Sequence, residues 1–112
     1  MELRIRSLAV VLACATGWYA GAALSADAPK PVTHTVIIEG TRFEPAVMTV
    51  NRGETVVWLN KDPFPHTATA KGVFDSHTIA AGKSWKYRAR TTGTHSYICT
   101  LHPNMKGTLV VR

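Results

Sequence analysis

Beyond residue 32 the chain is built from short alternations of apolar and polar side chains. Runs rich in Val, Ile, Thr and aromatic residues are separated by turn residues, and no stretch of useful length carries a helical period. The runs predict strands at Thr33–Glu39, Ala46–Val50, Glu54–Asn60, Thr67–Ala70, a short piece near Phe74–Ile79, Ser84–Arg90, Gly93–Cys99 and Gly107–Val111. Breaks fall at Glu39-Gly40, Asn51-Arg52-Gly53, Lys61–Pro65, Ala81-Gly82 and Thr92-Gly93. So many short strands with regular turns predict an all-β fold, a β-sandwich of about seven or eight strands.

Ser84–Arg90 shows the alternation most clearly. Trp85, Tyr87 and Ala89 share one face, assigned to the core; Ser84, Lys86, Arg88 and Arg90 share the other. The basic face reads first as a solvated surface or an edge strand guarded by charge. Its second reading is a docking surface for an acidic partner. Nucleic acid is a poor partner, because no aromatic side chains interleave with the basic ones on that face.

The first 26 residues follow a different pattern. Arg4 and Arg6 precede an uncharged apolar run, Leu8–Leu24, and small residues follow at Ala23, Ser25 and Ala26. This is the layout of a secretory signal, with cleavage expected after Ala26 and with Ala23 or Ser25 as alternatives. An uncleaved membrane anchor is the competing reading. The run is near the lower limit for a span and is diluted by Cys14, Thr16, Gly17 and Gly21. Lipidation at Cys14 would leave a long apolar stretch behind it. Residues 27–31 read as a flexible lead-in and residues 32–112 as one domain. The expectation is a periplasmic, monomeric protein with no transmembrane segment after cleavage.

Composition narrows the function. The chain has 112 residues, with 13 Lys+Arg against 7 Asp+Glu and a formal charge of +6, which leaves little core to spare for a multi-part catalytic cavity. At 46% hydrophobic and 18% charged it is not a disordered tail. Its two cysteines cannot build a disulfide framework or a four-cysteine metal site. Loss of the leader removes Cys14 and leaves Cys99 alone. A lone thiol in an oxidising compartment is either buried and inert or held by something else.

The segment Cys99-Thr-Leu-His102-Pro-Asn-Met105 suggests what holds it. Three rare residue types, all able to bind a soft metal, recur at a spacing of three in one loop between two predicted strands. His66 is the best further candidate, because Pro63 and Pro65 stiffen the loop that carries it. Zinc does not normally take a thioether, and calcium and magnesium require oxygen donors. Two His and one Cys with a weak axial Met form the blue-copper electron-transfer site. A buried structural Cys and a gap-filling Met are the bland alternatives. A Cys–His nucleophile lacks an evident third orienting group.

At this point the sequence resembles the cupredoxins, small blue copper proteins, with amicyanin the nearest type and plastocyanin and pseudoazurin further off. The residues that carry the likeness are Val57-Trp58-Leu59-Asn60 leading to Pro65-His66, Gly93–Cys99, and Cys99–Met105 followed by Lys106-Gly107. The resemblance implies a Greek-key sandwich with one copper ion at one end. His66, Cys99 and His102 would be its strong ligands and Met105 the axial one. It implies a one-electron carrier and not an enzyme. The redox partner, such as a cytochrome c or a periplasmic dehydrogenase or oxidase, would dock near His102 on a patch supplied by Phe64, Pro65, Leu101 and Pro103. It also implies that the Thr67 N–H bonds the Cys99 sulfur, and that a proton on His102 can release the reduced metal. Thr67 stands where the family commonly has Asn, so the side-chain tie to the ligand loop is expected to weaken or change. Leu101 stands where amicyanin has Pro.

Two rivals come from other classes. A copper chaperone or scavenger would show Met-rich or His-rich tracts, whereas residues 27–112 contain only Met48 and Met105. A multicopper oxidase domain would need His-x-His pairs, which the sequence lacks. His34 and His77 read as solvent-side residues, and His95 as semi-buried and hydrogen-bonded.

Overall fold

The computed structural model of the protein describes residues 30–112. The expected leader at 1–26 and the start of the lead-in lie outside the described residues. Among the described residues there are nine strands and no helix. They are β1 (Thr33–Ile38), β2 (Phe43–Glu44), β3 (Val47–Val50), β4 (Thr55–Asn60), β5 (Thr69–Ala70), β6 (Phe74–Asp75), β7 (Ser84–Arg88), β8 (Gly93–Cys99) and β9 (His102–Val111).

Two sheets form, in the orders β2-β1-β4-β7 and β3-β9-β8-β5-β6. The β1/β4 and β3/β9 pairs are parallel and the others antiparallel. Alternation decides which side of each strand faces in. In β4, Val56, Trp58 and Asn60 are buried, while Thr55, Val57 and Leu59 are half-buried. Val36, Ile38, Val56 and Trp58 from the first sheet share one core with Phe74, Tyr97, Leu109 and Val111 from the second, so the body is a β-sandwich. Trp58 meets the Tyr97 ring edge-on at 5.5 Å, which joins the two sheets at the middle of the core.

Every expected strand is present. The additional one, β2, has only two residues. The last strand starts at His102 and not at Gly107, because Cys99 pairs with His102 and the register then shifts between Ile98 and Cys99. Trp85 and Tyr87 face Phe74 of the other sheet at 6.0 and 4.7 Å but are only half-buried, since β7 is an edge strand with a neighbour on one side only.

Candidate metal centre

The site sits where the loop after β4 meets the β8–β9 hairpin. Asn60, the last residue of β4, is fully buried and organises that loop. Its amide donates to the Phe64 carbonyl at 2.7 Å and the Ile79 carbonyl at 2.9 Å. Its oxygen accepts the Asp62 N–H at 2.9 Å. A buried amide so well satisfied holds a loop rich in proline to one path. His66 is then fixed by an isolated pair of backbone bonds with Ile79.

Asp62 is the residue that sequence reasoning missed. Its carboxylate accepts the Gly40 N–H at 2.7 Å and the Thr41 N–H at 2.9 Å, and lies 2.8 Å from His66 Nε2. Burial works against its charged form and is the largest single influence. The N–H groups of Thr41 and Gly40, together with His66, outweigh it and hold the carboxyl below its ordinary value. An ionised carboxylate only accepts, so His66 Nε2 donates to it. The lone pair of His66 is thereby placed on Nδ1, the atom that faces Cys99. The signal in the sequence was an acid four residues ahead of a candidate histidine in a proline loop.

The three expected strong donors come together. Cys99 Sγ is 3.7 Å from His66 Nδ1 and 3.7 Å from His102 Nδ1. All three donor atoms lie within 4.8 Å of one another. A single ion bonded to one sulfur and two nitrogens in a plane would separate S and N by about 3.7 Å, given metal–sulfur and metal–nitrogen bonds of about 2.3 and 2.0–2.1 Å. The residues present therefore fit a borderline-soft metal. Cys99 and His66 are fully buried. His102 is half-buried and lines a surface groove with Leu101, Pro103, Asn104 and Met105. Met105 is buried beside it, turned inward where the β8–β9 register breaks. Leu101 in that groove and Phe64 in the loop that carries His66 are 51% and 55% exposed.

Thr67 ties the two loops. Its N–H points at Cys99 Sγ at 3.3 Å. Its hydroxyl accepts the Thr100 N–H at 2.9 Å and lies 3.1 Å from the Thr100 hydroxyl. The tie expected to weaken without Asn is present, made by a shorter side chain.

A sequence model described as a cupredoxin-like domain matches residues 8–111. The chain belongs to the cupredoxin family. This cupredoxin is 30% identical to amicyanin-alpha of Methylorubrum extorquens over 97% of its own length and 99% of that protein's. Its structure superposes on the Cu(I) form of an amicyanin mutant with a TM-score of 0.67 and 26% identity, covering 79% of this chain and 89% of the other. It also superposes on a copper-containing nitrite reductase from Thermus scotoductus, with a TM-score of 0.69 and 29% identity. That match takes in 76% of this chain but only 23% of the reductase. The remaining histidines of the cupredoxin do not join the site. His34 contacts Glu54 at 3.0 Å, His77 is exposed, and half-buried His95 contacts the Thr91 carbonyl at 2.9 Å.

Proposed function

We propose that this protein is an exported, monomeric one-electron carrier in which His66, Cys99, His102 and Met105 hold one copper ion. The observation that carries the reading is the convergence of one sulfur and two imidazole nitrogens at 3.7 Å beneath a protein surface. Bound copper would supply Cu(II)/Cu(I) redox chemistry.

The chain's own residues do the rest. Asp62 and Thr67 hold the donors in place before any metal arrives, so little need move when the charge of the site changes. Burial of Cys99 keeps water and oxidants from its sulfur. His102 is the donor that reaches the surface, and the apolar rim of Phe64 and Leu101 gives a redox protein a dry place to dock beside it. The N-terminal signal pattern supports export to the periplasm. Among the described residues no helix is long and apolar enough to cross a membrane. A carrier is favoured over a copper-transfer protein because a buried, tethered donor set releases metal slowly. It is favoured over an enzyme because a whole-length relative is an amicyanin, while the reductase shares less than a quarter of its length.

Cu(II) added to the purified protein should produce an intense visible thiolate-to-copper band and a paramagnetic resonance spectrum with narrow copper hyperfine splitting. Both should vanish in Cys99→Ser. A colourless copper-loaded protein, or rapid loss of copper to a competing chelator, would defeat the electron-carrier reading.

A further inference from the structure

The arginines are not spread evenly. Arg52 lies in the turn before β4, Arg88 and Arg90 lie at and beyond the end of β7, and Arg112 follows β9. The strand registers bring them to one pole. Thr55 pairs with Arg88, the Arg52 N–H donates to the Arg112 carbonyl at 2.7 Å, and Arg88 Nε donates to the Gly53 carbonyl at 3.2 Å. Arg52, Gly53, Arg88 and Arg90 line one shallow groove. All four arginines are exposed.

The opposing charge at this pole is already engaged. Glu54 is the one acidic side chain here among the described residues, and it takes the Asn51 N–H at 2.7 Å and the His34 ring at 3.0 Å. The other described carboxylates, Glu39, Glu44, Asp62 and Asp75, lie in register with the far ends of β1, β4 and β8. That far end carries His66, Cys99 and His102. The six residues of β4 separate the poles by about 20 Å. The arginine pole is therefore badly placed to guide a redox partner to His102 and well placed for something that must leave His102 free.

Connectivity and charge bear on the occupant. The Val32 carbonyl accepts the Thr55 N–H, so the chain enters the domain at the arginine pole. Seven residues, Ser25–Pro31, separate Val32 from the uncharged apolar run Leu8–Leu24, a reach of at most about 25 Å. The chain thus enters the domain at this pole from the segment expected to meet the membrane during export. Arginine forks suit phosphate oxygens.

We propose that Arg52, Arg88, Arg90 and Arg112 form a docking surface for anionic phospholipid headgroups, which rests the domain on a membrane with His102 turned away from it. The proposal does not depend on what the site at the other pole binds.

The test is co-sedimentation of the exported protein as isolated from cells, loss of its apolar leader confirmed by mass, with vesicles of phosphatidylglycerol and phosphatidylcholine in equal parts, and with phosphatidylcholine alone. Binding is expected on the anionic vesicles only and should be reversed by high salt. Arg52→Gln with Arg90→Gln should weaken it about 25-fold, at about fivefold per arginine near a charged surface. Both side chains are exposed, and an unchanged strand circular-dichroism spectrum checks that the variant is folded. Lys61→Gln with Lys83→Gln at the other pole should change binding less than about twofold. Equal binding to neutral vesicles, no binding to anionic ones, or equal sensitivity to both variant pairs would overturn the proposal. In particular, an arginine pole that captures only acidic proteins and ignores vesicles would do so.

Discussion

Nε2 of His66 donates to Oδ2 of Asp62 across 2.8 Å, with the histidine fully buried and the aspartate 6% exposed. One carboxylate therefore sets which imidazole nitrogen is free and anchors the Gly40-Thr41 turn.

Asp62→Ala should consequently do two things. Removing the orienting acceptor should lower copper affinity about 10–100-fold, the usual effect of losing such a partner. Leaving buried donors unpaired should cost about 1–3 kcal/mol of stability. Chelator competition and urea unfolding of the metal-free protein measure the two separately. Asp62→Asn, which keeps an acceptor, should recover most of the affinity. Full affinity in Asp62→Ala would show that backbone packing alone orients His66.

Thr67 contributes to the site through two different groups. Thr67→Val deletes the hydroxyl that receives the Thr100 N–H but keeps the main-chain N–H aimed at Cys99 Sγ. The expected result is a loss of about 1 kcal/mol in stability with the position of the visible copper band unchanged. A large spectral shift would mean that the hydroxyl, and not the main chain, governs the sulfur's surroundings.

Gly107 is required by a neighbour and not by its own backbone. A Cβ there would collide with the ring Cζ of Tyr97 and lie 2.5 Å from its hydroxyl oxygen. Tyr97 is 2% exposed and cannot swing aside. Gly107→Ala should cost about 1–3 kcal/mol by overpacking. The combined variant with Tyr97→Leu should be more stable than the sum of the two single losses predicts, as a thermal-unfolding double-mutant cycle would reveal.

The same tyrosine sets an alkaline limit. Burial pushes its hydroxyl up to about 12, weakly opposed by Trp58. Tyr97 Oη and Trp58 Nε1 nevertheless find no hydrogen-bond partner among the described residues. The unfolded chain releases this proton near pH 10 and the folded chain only near 12, so the unfolded state binds fewer protons in between. Stability from this group is complete below pH 10 and should decline by about 2–3 kcal/mol as pH rises to 12. Urea midpoints measured across that window should fall less steeply in Tyr97→Phe. That variant should be no less stable at neutral pH, because its missing hydroxyl had no partner.

Period-two alternation needs only neighbouring residues, so the longer strands and the core face of β7 were legible from the chain itself. The candidate metal-binding motif was legible for a similar reason. Cys99, His102 and Met105 lie within one short loop, and few metals accept imidazole, thiolate and thioether together. What the chain could not declare were contacts made across long sequence separations. Asp62 meets Gly40 and Thr41, Asn60 meets Ile79, Thr67 meets Thr100, and Tyr97 lies over Gly107. The local run around each of these residues does not name its partner across the fold. Local order on this chain follows from which side of a pleat a residue occupies. The orientation of His66, the tie between the two metal-site loops and the gathering of arginines at one pole follow from which strands pair, and in what register.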